Sequence, residues 1–548
     1  MRSTIALIVL LLAVSCSNHP KADLVVQGKI WTGNASMPLA QAMAIVGDSI
    51  VAVGPAAEIN SWIGDKTEII NRGDAGLITP GFIDSHVHFL EGGFNLTSVQ
   101  LRDAKSPREF ISRIKTFAAT VPPGTWIMGG DWDNQNWGGA LPERWWIDSI
   151  SPNHPVWINR LDGHMSLANT AALQAAGIDD KVKDVAGGAI ERVKGKVTGI
   201  FRDNAMDLIY AAVPPASDVQ EDRALDTAMH FVASKGVTSV HNMSGSWPAF
   251  ERARKQNRLI TRLYAGTSLS NWKILNEKIK KEGTGDAWLR FGSLKQMIDG
   301  SLGSHTAAFF KPFADAPKDS GFYLIPPNEL YQLAKSADSA GLQLMIHAIG
   351  DKGIRTVLDI IERVGKENGP RDRRSRIEHA QHIHPDDIAR FGTLGVIASM
   401  QPYHAIDDGR FAEKYLGYER CKTTYAFKSL MDAGATVAFG SDWFVAPPTP
   451  LEGIYAAVTR RTLDDKNPNG WVPEQKITVD QALKAYTING AFASYEESIK
   501  GSLEPGKKAD FVVLDKDITT IDPIEIRNVK VMRTVVGGKT VYQLKQPK

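Results

Sequence analysis

Histidines and one aspartate stand at the ends of short apolar runs in this 548-residue sequence. His86 and His88 close one run, and His347, His379 and Asp442 each follow several apolar residues further along. In an extended strand His86 and His88 point to the same side, so both imidazoles can bind one cation. A lone His-x-His pair is weak evidence, because buried histidines often bond only to backbone carbonyls. The recurrence of such residues at several run ends indicates a metal site.

Lys295 lies in a further run, SLKQMIDG, among apolar neighbours. The alternative is an exposed lysine whose stem covers apolar surface. A lysine buried beside cations is driven towards its neutral form, because desolvation and like charge both lower its pKa. A neutral amine can capture carbon dioxide as a carbamate, whose two oxygens could bridge two metal ions. We therefore expect one or two divalent ions, with zinc the favoured metal, at a hydrolase site.

The elements that must position these residues are eight apolar runs alternating with helical stretches. The runs are LITPGFIDSHVHF, GVTSVHNMS, RLYAGTS, RFGSLKQMIDGS, LQLMIHAIGD, SRIEHAQ, GVIASMQPYH and TVAFGSDW. Buried parallel strands read as continuous apolar runs, and their alternation with helices predicts an α/β fold, a closed (β/α)8 TIM-like barrel. An open doubly wound sheet is the alternative, disfavoured because no glycine-rich phosphate loop follows the first strand. Barrel active sites form where the strands end, which is where these residues stand.

The remaining sequence predicts two further units around a barrel of residues 79–494. Residues 103–231 form a long insertion after the first barrel strand, since they exceed a normal crossover. Residues 22–78 and 495–548 have short β-rich runs broken by glycines, and we expect them to form one small β-sandwich domain. Gly537 and Gly538 stand between two of these runs as a hairpin turn.

Residues 1–21 read as a signal peptide and a short tether. Arg2 precedes an apolar run that ends before Cys16, and the run is too short to be a permanent span. The ending Ala-Val-Ser-Cys resembles a bacterial lipobox, in which Cys16 is lipidated; a simply cleaved signal is the alternative. Both readings place the protein outside the cytoplasm, and the first predicts a periplasmic lipoprotein that contacts the membrane only through Cys16.

The composition excludes several classes of protein. The net charge of +2 is too small to attract nucleic acid or anionic lipid surfaces. The chain has two cysteines, so a disulfide framework is excluded. A small molecule is the partner that we expect.

Several motifs together resemble the metal-dependent amidohydrolase superfamily, and more narrowly its family 3, the YtcJ-like branch. They are PGFIDSHVH, the lysine before IDGSLGS, HAIGD, IEHAQ, GSDW, GSLEPGKKADFVVLD and, in the insertion, DGHMSLANTAAL. The resemblance implies that His86 and His88 bind the more buried metal and that His347 and His379 bind the other. Lys295 would bridge the two metals.

The same resemblance implies roles for three further residues. Asp442 would bind metal and act as the base, taking a proton from the activated water and passing it to the leaving amine. His164 matches a substrate-facing position, and His404 would stabilise charge on the scissile carbonyl oxygen. For both histidines a purely structural role stays open.

Other polar residues near the motifs are predicted to play lesser parts. Asp84 would orient an imidazole, and Asp299 and Asp351 would support ligands in the same way. His382 and His384 are expected to face solvent. Trp132 and Trp137 belong to the insertion's core or form a cover over the site.

The resulting hypothesis is a metal-dependent hydrolase that cleaves a C–N, amide-type bond of a small molecule. An ester or phosphoester substrate is an alternative, because the same water attacks those centres. A non-catalytic extracytoplasmic metal- or solute-binding protein is the second alternative. A glycosidase is disfavoured, because histidines rather than paired carboxylates dominate the strand ends.

Overall fold

The computed structural model describes residues 20–160, 165–185, 188–303 and 305–545. The strands are β1 Leu24–Trp31, β2 Leu39–Val46, β3 Ser49–Gly54, β4 Glu68–Asn71, β5 Leu77–Pro80, β6 Phe82–Val87, β7 Ile127–Trp132, β8 Val156–Arg160, β9 Met165–Ala168, β10 Gly188–Val193, β11 Lys196–Asp203, β12 Val237–Asn242, β13 Arg262–Ser268, β14 Leu289–Met297, β15 Gln343–Ala348, β16 Arg376–His379, β17 Ile397–Met400, β18 Val437–Phe439, β19 Phe511–Leu514, β20 Val531–Val536 and β21 Lys539–Gln543. The helices are α1 Ala56–Ile59, α2 Phe89–Thr97, α3 Pro107–Ala118, α4 Thr170–Ala175, α5 Asp207–Tyr210, α6 Asp218–Ala233, α7 Trp247–Lys255, α8 Trp272–Glu282, α9 Pro327–Ser339, α10 Asp351–Asn368, α11 Ile388–Leu394, α12 Pro402–Asp408, α13 Ala412–Leu416, α14 Tyr418–Cys421, α15 Phe427–Asp432, α16 Pro450–Thr459, α17 Val479–Ala485 and α18 Ile488–Ala493.

A parallel barrel forms the centre of the molecule. Strands β6 and β12 to β18 pair in chain order, and each overlaps one of the predicted apolar runs. The last strand returns to the first, because the backbone N–H of Asp442 donates to the His86 carbonyl at 2.7 Å. The backbone N–H of His88 donates to the Trp443 carbonyl at 2.7 Å. The prediction of an α/β TIM-like barrel is thus confirmed as a nearly closed eight-stranded sheet within the described residues.

Amphipathic helices cover the barrel. Helix α10 shows the pattern most clearly, because its buried apolar residues recur every three or four positions. These residues are Ile354, Val357, Leu358, Ile360, Ile361 and Val364. They join one large core that also contains apolar side chains of the barrel strands.

Both ends of the described chain meet in one sheet. Strands β1 to β5 and β19 to β21 are hydrogen-bonded together, with β5 and β19 antiparallel at the junction. Gly537 and Gly538 form the predicted turn between β20 and β21, with φ values of 54° and 73° that favour glycine. The shared sheet follows the prediction from the sequence, whereas a sandwich of two facing layers stays a prediction.

A buried ion pair connects this sheet to the barrel. Arg262 at the start of β13 donates to both carboxylate oxygens of Asp510, at 2.6 and 2.9 Å. The same carboxylate accepts from the backbone N–H of Gly537 at 2.8 Å. Paired, hydrogen-bonded charges of this kind fix the orientation of the two units, since separating them would leave charges buried alone.

The segment between β6 and β12 contains a second sheet, in the order β10-β11-β9-β8-β7. Trp132 is fully buried in this unit, and its indole N–H donates to the Ile158 carbonyl at 3.0 Å. Trp132 therefore belongs to the insertion's own core and does not cover the site. Trp137 packs beside the same core and donates to the Ala140 carbonyl.

Cys16, on which the lipoprotein prediction depends, lies outside the described residues. In the described part of the chain, no helix is long and apolar enough to cross a membrane.

Candidate active site

The predicted ligand residues gather at the carboxyl-end mouth of the barrel. His86 lies in β6, Lys295 in β14, His347 in β15 and His379 at the end of β16, and Asp442 follows β18. His379 and Asp442 have φ values of 67° and 61°, in the left-handed region that non-glycine residues seldom adopt. Such a turn redirects the chain at the residue that carries the ligand atom.

Asp442 is the residue around which the imidazoles cluster. Its Oδ1 lies 3.3 Å from Nε2 of His86 and 3.6 Å from Nε2 of His88. Ligand atoms of His86, His88 and Asp442 all lie within 4.8 Å of one another, and those of His379, His404 and Asp442 do the same. The structure therefore brings together two compact donor groups that share one carboxylate.

His404 joins the second of these groups, although the sequence predicted a role at the substrate's carbonyl oxygen. It lies in α12, and its ring stacks parallel to that of His379 with the ring centres 6.4 Å apart. Its position is compatible with both roles, since a donor at the cavity wall can reach a substrate or a metal. His164, the other predicted substrate residue, lies outside the described residues.

Lys295 and His347 complete the cluster. Nζ of Lys295 lies 3.2 Å from Nε2 of His86, and burial lowers the pKa of this amine. The ring of His347 lies 4.4 Å from that of His379, centre to centre. Nε2 of His347 is 3.1 Å from the Gly300 carbonyl. Because a carbonyl only accepts, this contact assigns the hydrogen to Nε2 and leaves Nδ1 as a free lone pair.

Protonation in the cluster suits a cation. Burial lowers the pKa of His88 to about 4 and that of His347 to about 3. These imidazoles are therefore neutral near pH 7, which is the form that binds metals. Burial alone would raise the pKa of Asp442, but His86 and His379 hold it well below its usual range.

Two buried ring nitrogens provide a direct test of whether a metal fits. Nδ1 of His379 and Nε2 of His404 have no hydrogen-bond partner among the described residues. A buried polar atom without a partner costs roughly 1–3 kcal/mol, so folded proteins seldom retain one without a reason. Imidazole nitrogens beside a shared carboxylate are the donors that a zinc-like ion takes, and the residues present fit such an ion.

Glu378, which was not among the residues predicted from the sequence, orients His86. Nδ1 of His86 donates to Oε2 of Glu378 at 2.5 Å, and both side chains are buried. Arg376 holds the same carboxylate through bonds of 2.7 and 3.0 Å. Burial would raise the pKa of Glu378, but Arg376 and His86 hold it well below its usual range. Because the carboxylate fixes the hydrogen on Nδ1, Nε2 of His86 presents its lone pair to the site.

The three aspartates expected to support ligands act mainly on the backbone. Asp84 accepts from the hydroxyl and backbone N–H of Ser441, at 2.5 and 2.8 Å, and from the backbone N–H of His86. It does not bond to an imidazole, so that prediction is wrong. Asp299 accepts three backbone N–H groups and lies 3.8 Å from Nε2 of His347. Asp351 accepts the backbone N–H of Phe310.

His382 and His384, which follow His379 in the sequence, differ in solvent exposure. His384 is 38% exposed, in line with the prediction of a solvent-facing side chain. His382 is buried instead, with Nδ1 2.8 Å from the Thr424 hydroxyl, so the prediction was wrong there. Its apolar surroundings, including the Phe309 ring, favour burial over solvation.

A cavity of about 680 Å³ opens over the cluster. His88, Lys295, His347, His379, His404 and Asp442 all line it. Its size suits a small molecule. A parallel barrel that presents neutral imidazoles, a buried lysine and a carboxylate to such a cavity defines a metal-dependent hydrolase.

Comparison with known proteins gives the same class. Residues 75–542 match the model of the amidohydrolase family, and the chain belongs to that family. It is therefore an enzyme of metal-dependent C–N bond hydrolysis, and the resemblance drawn from its motifs is confirmed.

Relatives match nearly the whole chain. Protein LONG AFTER FAR-RED 3 of Arabidopsis thaliana is 40% identical over 538 residues, which cover 95% of this chain and 92% of that protein. YtcJ of Bacillus subtilis, named as an amidohydrolase, is 32% identical over 87% of this chain and 91% of its own length. The N-substituted formamide deformylase of Arthrobacter pascens is 28% identical over 95% of this chain and 98% of its own length.

A solved structure also shares the fold. The crystal structure of an uncharacterized metal-dependent hydrolase from Pyrococcus horikoshii matches with a TM-score of 0.77 and 27% identity. The match covers 91% of this chain and 99% of that one. The barrel and its attached sheets are thus found together in a second protein of the same general class.

The hydrogen bond between Glu378 and His86 predicts an effect on zinc affinity. Glu378→Gln should weaken zinc binding roughly 10–100-fold, because the amide holds the His86 tautomer less firmly. Competition with a chromogenic chelator measures the affinity. Glu419→Gln is the control and should leave zinc affinity unchanged, since that carboxylate is 81% exposed and pairs with Lys422. Zinc affinity equal to that of the unmodified protein in Glu378→Gln would contradict the assigned role.

Proposed function

We propose that the chain hydrolyses an amide-type C–N bond of a small molecule. Water adds across the bond: a C–O bond forms, the C–N bond breaks, and a carboxylic acid and an amine are released. The observation that carries this proposal is the position of Asp442, a buried carboxylate shared by the two groups of imidazole donors. A carboxylate placed there can both hold a cation and accept a proton beside it.

The residues take the following parts in the proposal. His86, His88, His347, His379, Lys295 and Asp442 hold one or two divalent ions, with zinc the favoured metal. Such an ion supplies Lewis acidity to the carbonyl oxygen and to water. Asp442 takes the proton from the attacking water and returns it to the leaving nitrogen. His404 donates towards the carbonyl oxygen, where negative charge develops.

Lys295 is proposed to act as a carbamate. Its part-buried amine lies 3.2 Å from Nε2 of His86 and has a pKa that burial lowers, so it is available in the neutral form. The neutral nitrogen attacks the carbon of carbon dioxide, and one proton is released as the N–C bond forms. The carbamate would carry a negative charge and two oxygens, in a cavity that the imidazoles and the Asp442 carboxylate also line. That charge would offset the repulsion between two bound ions.

The substrate is proposed to be a small amide, with formamides the first class to test. The name of the Arthrobacter pascens relative, N-substituted formamide deformylase, supports this choice. Ester or phosphoester hydrolysis is the second candidate, because the shared carboxylate would serve those centres equally.

The protein is further proposed to act outside the cytoplasm. The support is the sequence of residues 1–16, which combines Arg2, an apolar run and Cys16 in the order of a lipoprotein signal. A lipid on Cys16 would hold the enzyme at a membrane surface.

Replacing the proposed base tests the function directly. Asp442→Asn in zinc-loaded protein should lower kcat for an N-alkylformamide about 10²–10⁴-fold, because the amide cannot take the water's proton. Asp386→Asn, at a carboxylate 78% exposed, is the control and should keep full activity. Zinc content is measured in parallel, to separate loss of the proton acceptor from loss of the metal. Unchanged turnover in Asp442→Asn would remove this residue as the base.

The carbamate is tested by chemical rescue. Lys295→Ala should lose at least about tenfold in activity, and added bicarbonate or a short carboxylic acid should restore part of it by replacing the bridging oxygens. Lys281→Ala, at a side chain 82% exposed, should behave as the unmodified enzyme. Full activity of Lys295→Ala without any addition would refute the bridge.

The lipid anchor is tested in cells that process lipoproteins. Full-length protein should incorporate labelled palmitate and fractionate with membranes, whereas Cys16→Ser should do neither, because the thiol is the acylated atom. Cys421→Ser is the control, since Cys421 is buried. Equal labelling of Cys16→Ser and the unmodified protein would rule out the lipoprotein proposal.

A further inference from the structure

The cavity wall beyond the donor groups is apolar and acidic. Its apolar part is formed by Met243, Met297, Leu302, Ile349, Phe411 and Val445. Two aspartates, Asp407 and Asp408, also line it. Among the described lining residues, Lys295 is the one lysine or arginine, and it belongs to the metal cluster. A substrate carboxylate would therefore meet acidic side chains and no free cation on this wall.

The two aspartates differ in their partners. Asp407 forms an ion pair with Arg410, so its charge is already balanced. Asp408 accepts from two neutral donors, both through Oδ2: the Gln381 amide at 2.7 Å and the Tyr425 hydroxyl at 2.7 Å. Oδ1 of Asp408 accepts no hydrogen bond from the described residues. Burial raises the pKa of Asp408, and this effect exceeds the opposing effects of His404, Tyr425 and Gln381.

Asp408 lies on the same helix as His404, one turn further from the reacting centre. Asp408 and His404 stand four residues apart in α12, so they share one helix face and are separated by about 6 Å along the axis. His404 carries the buried Nε2 without a partner and belongs to the same donor group as Asp442. A ligand atom near Asp408 would therefore lie about one helical turn beyond the scissile bond, in a cavity that apolar side chains also line.

We propose, building on the function proposed above, that Asp408 binds a cationic nitrogen at the far end of the substrate. The substrate class is then an amide whose short apolar chain ends in an ammonium or guanidinium group. Amides that end in a carboxylate, such as N-acyl amino acids, are disfavoured by the same carboxylate. Asp408 determines specificity in this account and takes no part in the chemical step.

Three probes that differ only in terminal charge test this inference. They are 4-acetamidobutylammonium, N-pentylacetamide and 5-acetamidopentanoate, which share one acetamidobutyl unit. Calorimetric Kd and kcat/KM are measured with the zinc-loaded full chain. We expect the cation to be preferred over the neutral probe roughly ten- to hundredfold, the range of a hydrogen bond between charged groups, and the anion to be the poorest.

Substitution assigns the preference to one side chain. Asp408→Asn should bring the cation-to-neutral ratio to within about threefold of unity, because the amide keeps the shape and loses the charge. Asp407→Asn is the matched control and should leave the ratio unchanged, since Arg410 already pairs that carboxylate. A Kd for N-pentylacetamide that stays constant in all three proteins reports an intact cavity.

The outcomes separate this inference from the proposed function. Hydrolysis of N-pentylacetamide without any effect of terminal charge would overturn the inference and leave the proposed function in place. Binding of the cation that depends on Asp408, without hydrolysis of any probe, would uphold the inference and count against the proposed function. Should Asp408→Asn fail to fold, equal or tighter binding of 5-acetamidopentanoate by the unmodified protein would still overturn the inference.

Discussion

The backbone bond from Asp442 to the His86 carbonyl is the contact on which the site depends. It joins the last barrel strand to the first, and it places the Asp442 carboxylate 3.3 Å from the His86 imidazole. These residues are more than 350 positions apart in the sequence, so only closure of the barrel brings them together. The same closure pairs the backbone N–H of His88 with the Trp443 carbonyl. Ligand geometry is thus a consequence of strand pairing and does not rely on flexible loops.

Inside the barrel, a series of buried charged side chains fixes the orientation of the His86 imidazole. Arg376 fixes Glu378, Glu378 fixes Nδ1 of His86, and Nε2 of His86 faces Asp442. Charges buried this deeply are tolerated only when every member is paired. The barrel interior therefore supports the site's chemistry as well as its shape. The second donor group is different, because its two buried nitrogens have no partner among the described residues. A bound cation would give these two nitrogens a partner.

The parts of this structure that could be predicted from sequence were those with local signals. Continuous apolar runs are typical of buried parallel strands, so all eight barrel strands were found, and the residues at their ends followed. The turn at Gly537 and Gly538 was equally local. Glu378 and Arg376 were missed, although their spacing of two in SRIEHAQ puts both on one side of β16. His382 was misjudged because burial depends on which distant surfaces pack against a residue. Asp84 was placed correctly in the strand, but its partner Ser441 follows the last barrel strand, 357 positions further along the chain.

Side chains from separate strands are proposed to hold a divalent metal at one mouth of the barrel. Anomalous diffraction at the zinc edge, from crystals of zinc-loaded protein, would locate such an ion. We expect a peak about 2.0–2.2 Å from Nε2 of His86, Nε2 of His88 and a carboxylate oxygen of Asp442. A second peak near His347 and His379 would correspond to two ions. Crystals that contain zinc elsewhere, with no anomalous density between His86 and Asp442, would contradict it.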